Sequence, residues 1–169
     1  MRNLEPISTK DISYDINKMF SQELALLTVK NGDKINTMTI GWGSIGYIWK
    51  KDVLEIYVRP SRYTYELLEN ADCYSVSFFD ISYKDKLLFC GKNSGRDVDK
   101  FTACNFDVEN YNNVPYIAQA RLVAICKKLY TANLDTNNFE EEYKYLASDF
   151  YKDGDIHKIF IGEITSLLG

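Results

Sequence analysis

The sequence predicts a mainly β fold, a β-barrel with peripheral helices, on three observations. Apolar residues alternate with period two in several short runs, as at Val53–Val58 and Cys73–Phe79. Only short helical stretches fall between those runs, without the βαβ rhythm of a doubly wound sheet. Aromatics are abundant, with 13 tyrosines, 9 phenylalanines and 2 tryptophans, and such residues favour strands and line flat ligand pockets.

Each element follows from local pattern. Leu24 to Lys30 is an apolar, β-capable run; Asn31-Gly32-Asp33 is a hairpin signal, and Ile35 to Trp42 is its partner strand. Gly41, Gly43 and Gly46 then mark a bulge or room for a close ligand. In Val53–Val58, Leu54, Ile56 and Val58 face a core while Val53, Glu55 and Tyr57 face away. Pro60 ends that strand, and Ser61 caps a helix running to about Asn70. Cys73–Phe79 sets Tyr74, Val76 and Phe78 on one face; Tyr83–Phe89 is helical, and Asp97 opens another short helix with Phe101 on its buried side. Ala120–Leu134 is a long strand with Val123, Ile125 and Leu129 on one face. Tyr143, Leu146, Ala147 and Phe150 have the spacing of a packed helix. Gly154 breaks the chain, and Lys158–Leu167 is the last strand.

The 169 residues, with neither repeat nor linker, are read as one domain over 1–169. A net charge of -4 without a basic cluster argues against nucleic acid. No apolar run reaches the roughly 18–20 residues that span a bilayer. Met1 to Lys10 lacks the apolar stretch of a signal peptide, so a cytoplasmic location is expected. Cys73, Cys90, Cys104 and Cys126 contain no CxxC, and His157 is the one histidine, so no metal site is expected. The thiols read as reduced, with Cys90, beside Gly91 in a loop, as the most accessible.

Three stretches carry candidate chemistry. In Arg59-Pro60-Ser61-Arg62-Tyr63-Thr64 a strand ends and a helix begins, so free N–H groups, the Ser61 and Thr64 hydroxyls and two guanidinium forks converge. That set suits a phosphate monoester; the alternative is a plain cap with solvated arginines. In Asn93–Phe101, Gly95 allows a tight loop, Asp97 caps, and Arg96 or Lys100 reaches a phosphate or carbonyl; the alternative is a surface turn. In Asn36–Gly43, small and hydroxyl residues with glycine let a flat ring approach the strand, or else Met38, Ile40 and Trp42 simply pack a core. His157 is the only side chain with an ordinary pKa near neutrality, and it orients a nicotinamide or holds a proton, or else is structural.

The segments NTMTIGWGSIGYIWKKDVLEIYVRPSRYTYELLE (Asn36–Glu69), SGRDVDKF (Ser94–Phe101) and HKIFIGEI (His157–Ile164) together resemble the flavin-reductase-like family of FMN-binding split barrels. The resemblance runs roughly from Leu24 to Leu167 and departs at Cys90-Gly91-Lys92-Asn93, where relatives often carry a small apolar residue and a hydroxyl. It implies a six-stranded antiparallel Greek-key barrel, a homodimer with FMN near the interface, and electron transfer from NAD(P)H or a redox partner protein to an acceptor. It places Asn36, Thr37, Met38, Thr39, Ile40, Gly41 and Trp42 along the flavin ring. It puts Arg59, Ser61, Arg62 and Thr64 on the phosphate, and Ser94, Gly95 and Lys100 over the ribityl or phosphate side. His157 matches a histidine before the final strand and is the catalytic candidate. Rival readings are a non-enzymatic, flavoredoxin-like electron-transfer module, a pyridoxamine-phosphate-oxidase-like oxidase, and a barrel that has lost its flavin.

Overall fold

The computed structural model describes residues 4–11 and 14–169; of the polar N-terminal stretch, residues 1–3 lie outside the described residues. Strand β1 (Pro6–Ile7), a single helical turn α1 (Ile16–Lys18) and a π turn (Met19–Glu23) precede the first long hairpin, β2 (Ala25–Asn31) and β3 (Lys34–Ile40). Asn31 pairs with Lys34, so the loop is Gly32–Asp33, and Asn31, expected in the turn with them, is the last residue of β2. Gly32 takes φ +59°, the left-handed conformation glycine accepts without a Cβ penalty.

A second hairpin, absent from the sequence reading, follows as β4 (Gly43–Ile48) and β5 (Lys51–Val58). Its loop residues Trp49 and Lys50 sit at φ +54° and +58°, a geometry that usually takes Asn-Gly, so composition gave no signal for it. Gly43 is needed for close approach: a Cβ there would lie 2.6 Å from the Phe20 ring and 2.7 Å from the Glu55 carbonyl. The remaining elements are α2 (Tyr63–Asn70), β6 (Cys73–Phe78), α3 (Lys84–Lys92), α4 (Lys100–Cys104), β7 (Val108–Tyr111), β8 (Val114–Ile117), β9 (Leu122–Asn133), α5 (Tyr145–Phe150) and β10 (Lys158–Leu168).

The main sheet runs β3-β2-β6-β9-β10-β5-β4, with β1 added on β10, and every pairing is antiparallel. Its two outer strands, β3 and β4, are joined only by Gly41 and Trp42, so the sheet must curl until its ends meet. No ladder pairs β3 with β4 among the described residues, which leaves the barrel split along that seam. Beyond the expected six strands, this sheet also carries β4, folded back on β5, and the two-residue β1, with β7–β8 a separate hairpin; α2 crosses from β5 to β6, which do not pair.

The barrel interior is filled by Leu27, Val29, Leu54, Ile56, Val58, Tyr74, Val76, Phe78 and Phe160. Each large apolar side chain so buried contributes about 1.5–3 kcal/mol. A second cluster lies on the outer face, where Leu26, Val123 and Ile125 meet Leu87, Cys90, Cys104, Phe106 and Ile117 beneath α3, α4 and the β7–β8 hairpin. Strands β2, β6 and β9 are therefore buried on both faces. Gly162 in β10 makes room for the Tyr74 hydroxyl, which a Cβ would strike.

Several expectations are corrected. Leu129 leaves the face of Val123 and Ile125 because the β9–β10 register slips there: Ile161 faces Tyr130 and Gly162 faces Lys128. The α2 helix is capped by the backbone of Arg62 and no side chain, since the Ser61 hydroxyl bonds elsewhere. Helix α4 opens at Asp99, whose carboxylate accepts from Phe101 and Thr102 N–H, and not at Asp97. The buried residue of that first turn is Lys100, 4 % exposed, while Phe101 is half-buried. The stretch 141–150 splits into a 3-10 turn and the short α5, with Tyr143 and Phe150 exposed, Phe150 resting against the edge of Trp42 and not in the barrel core. Cys90 is buried, with its Sγ 3.7 Å from that of Cys104; Cys73 is the most exposed thiol.

Candidate functional site

Strand β3 is an outer strand, and its free edge is covered by α3 and the 93–100 loop instead of another strand. The Thr39 hydroxyl donates to the Leu87 carbonyl, and the Lys100 ammonium donates to Thr37 O at 2.9 Å and Cys90 O at 2.8 Å. Asn36 donates its amide N–H to Thr64 Oγ1 at 2.9 Å, tying the strand to α2. Gly95 lies so close to the Asn36 amide that any Cβ would collide with it. Between these elements opens a cavity of about 410 Å³, within the range of small-molecule sites.

Around this cavity the structure gathers Asn36, Met38, Thr39, Ile40, Gly41, Trp42, Arg59, Ser61, Arg62, Thr64, Ser94, Gly95, Lys100 and His157. Segments far apart in sequence thus meet at one place. Thr37 is the exception: its side chain is buried against Thr28 Oγ1 and the Leu27 carbonyl, and it contributes only its own carbonyl to Lys100. Tyr57, Tyr63, Cys90, Gly91, Lys92, Asn93 and Arg96 line it too; of these, Arg96 is the alternative to Lys100 that the sequence offers, Tyr63 and Asn93 lie within the candidate stretches, and Tyr57 lies outside them. The signal for 90–93 was their position directly before SGRD. Tyr57 could have been found from its outward parity two residues before Arg59.

One wall is aromatic. His157 lies over Trp42 with ring centres 4.6 Å apart and planes 35° from parallel, and Phe150 and Tyr57 meet the indole edge-on at 5.3 and 6.5 Å. His157 Nδ1 shares a hydrogen bond with the Tyr151 hydroxyl at 3.0 Å. Burial, reinforced by the Arg59 and Arg62 guanidinium groups, pushes the imidazole pKa down to about 4, so His157 is neutral at pH 7. Burial and the neighbouring Glu55 push Tyr57 up to about 12.

The other wall is cationic and polar. Lys100 is 4 % exposed and has no acidic partner within 4 Å among the described residues. Burial lowers its pKa. Arg62 likewise has no acid within 4 Å among the described residues, whereas Arg96 pairs with Glu66. Arg59 is engaged differently: it donates to the Asp155 carbonyl at 2.9 Å and the Phe150 carbonyl at 2.7 Å, and it faces the Asp153 carboxylate at 3.6 Å. Ser61 gives both its N–H and its hydroxyl to Asp155. The cavity lining therefore combines aromatic rings with a buried positive charge, a set that suits a planar ligand carrying negative charge. Among the described residues, no group of three His, Cys, Asp or Glu is placed to hold a metal ion, and no helix is long and apolar enough to cross a membrane.

Residues 17–168 match the model of a family described as flavin reductase like domain. Comparison with curated proteins found no match. Among solved structures, the chain is similar to the FMN-binding protein from Thermus thermophilus with bound 1-cyclohex-2-enone, at 21% identity and TM-score 0.67, covering 99% of this chain and 78% of that one. It is also similar to flavoredoxin from Methanosarcina acetivorans, at 23% identity and TM-score 0.68, covering 96% and 74% of the respective chains. A third likeness is to the styrene monooxygenase flavin reductase from Pseudomonas putida S12, at 16% identity and TM-score 0.62, covering 86% and 77%. At these identities the structural likeness establishes the split-barrel fold.

Proposed function

Because the chain belongs to the flavin reductase like domain family, we propose that it is an FMN-dependent oxidoreductase, passing electrons from NAD(P)H or a protein donor to an acceptor. The observation that carries this reading is Lys100, a buried ammonium on the cavity wall with two carbonyl acceptors and, among the described residues, no carboxylate within 4 Å. An uncompensated buried cation is costly in an isolated protein and is stabilised when an anionic ligand enters beside it.

The residues present fit FMN. The 36–42 strand and the loop at Gly95 allow a flat ring close to the backbone, and Arg62, Ser94 and Thr64 supply donors of the kind a phosphate needs. When bound, FMN would supply the redox chemistry that the side chains lack. Lys100 would hold positive charge beside the ligand, and the Trp42–His157 wall would keep water from one face. His157, neutral and bonded to Tyr151, would orient a second planar substrate instead of delivering a proton from an imidazolium. A homodimer belongs to the same proposal; the exposed aromatics Tyr47, Trp49 and Tyr130 support it, since such a patch is costly to leave in water. Work in the cytoplasm fits four cysteines that form no disulfide.

The test is rapid mixing of the FMN-loaded protein with NADH and with NADPH. Bleaching of the flavin band at a catalytic rate supports the reductase. Bleaching only by a reduced partner protein would move the reading to an electron carrier. Light scattering in solution should give twice the mass of one chain, and a monomer would remove the dimer from the proposal.

A further inference from the structure

Resting on the flavin reading, we infer that Asp155 sets this chain's selectivity between phosphorylated and unphosphorylated flavins, by keeping a carboxylate on donors that a phosphate would otherwise take. Ser61 donates its backbone N–H to Asp155 Oδ1 at 3.2 Å and its hydroxyl to Oδ2 at 2.5 Å. Arg59 stands beside them, with Nη1 4.0 Å from the same carboxylate. A backbone N–H, a hydroxyl and a guanidinium converging on one point are the groups that bind a phosphate oxygen. Here the strap 149–157, which also carries His157, fills that point with an internal anion.

The Asp155 side chain is only 20% exposed, so its charge is less screened than that of Asp153, at 68%. Ser61 and Arg62, adjacent in sequence, both line the cavity. A flavin phosphate, carrying about -1.5 to -2 at pH 7, either replaces the carboxylate or sits next to it at Arg62. Both arrangements set two like charges against each other, and both lead to the same sign: removing the charge of Asp155 strengthens the phosphorylated ligand alone.

The experiment is fluorescence titration of wild-type, Asp155→Asn and Asp155→Ser proteins with FMN and with riboflavin, at low and high salt. Folding is checked by circular dichroism. Asp155→Asn should tighten FMN about tenfold, leave riboflavin within about twofold, and lose most of that gain at high salt. Asp155→Ser should repeat the result, and Asp153→Asn should change little. Equal changes for both flavins would show that Asp155 only braces the strap, and an unchanged or weakened FMN affinity would likewise overturn the proposal. If no protein bound either flavin, the flavin reading itself would fall, a different outcome from loss of selectivity.

Discussion

Lys100 and Arg59 both bring positive charge to the wall of one cavity, yet their surroundings differ in kind. Lys100 is buried between two carbonyl oxygens with no carboxylate within 4 Å among the described residues, whereas Arg59 is held by two strap carbonyls and faces Asp153 and Asp155. A cation already neutralised by the protein holds structure, and one left without an acid is available for a ligand. On the proposed reading, the comparison gives Lys100 to ligand binding and leaves Arg59 and Ser61 to anchor the strap, as Arg96 is held by Glu66. Arg62 sides with Lys100.

Four measurements press on that division. The largest effect is expected from Lys100→Met, which should cost about 2–4 kcal/mol of FMN affinity by removing a charged donor. It should shift the stability of the unliganded protein far less, because a buried lone charge is itself unfavourable. Calorimetric titration and a thermal melt read the two quantities. Arg62→Ala should cost about 1.5–3 kcal/mol for FMN and much less for riboflavin; equal losses would take Arg62 off the phosphate. Arg59→Ala should instead lower stability by about 1–2 kcal/mol as two hydrogen bonds to the strap are lost. An unchanged melting temperature with collapsed FMN binding would place Arg59 with Lys100 after all.

The smallest effect concerns pH. His157 stays neutral in the folded chain down to about pH 4 but takes a proton near its ordinary pKa of 6.5 when unfolded. Between those values the unfolded state binds more protons, so stability falls as pH falls through that window. With the ring partly exposed, the contribution is roughly 1 kcal/mol. His157→Gln should flatten this part of the melting-temperature profile between pH 7 and pH 4, and an unchanged profile would show that the imidazole titrates normally.

The fold was legible where one periodicity ruled. Leu54, Ile56 and Val58, and Tyr74, Val76 and Phe78, alternate in the sequence and all point into the barrel. Strands buried on both faces were still recognised as strands, but their second face was not, because Leu26, Val123 and Ile125 serve an outer layer built from residues elsewhere in the chain. β4 escaped notice because Trp49 and Lys50 adopt left-handed turn conformations that their composition does not announce. In the site, the three separated motifs were readable as polar, glycine-bearing segments. Their pairings were not: Ser61 looks like a cap until Asp155, 94 residues on, takes its hydroxyl. Asp97 and Asp99 are equivalent in the sequence, and only the start of α4 selects Asp99.

The central claim is that a cavity lined by aromatic rings and by an ammonium without an acidic partner among the described residues holds a flavin. The visible spectrum of the purified protein, with any released small molecule weighed by mass spectrometry, addresses it most directly. The account predicts a flavin spectrum and FMN on release, or quenching of added FMN at one site per chain. A colourless protein that leaves the fluorescence of added FMN undiminished would contradict it.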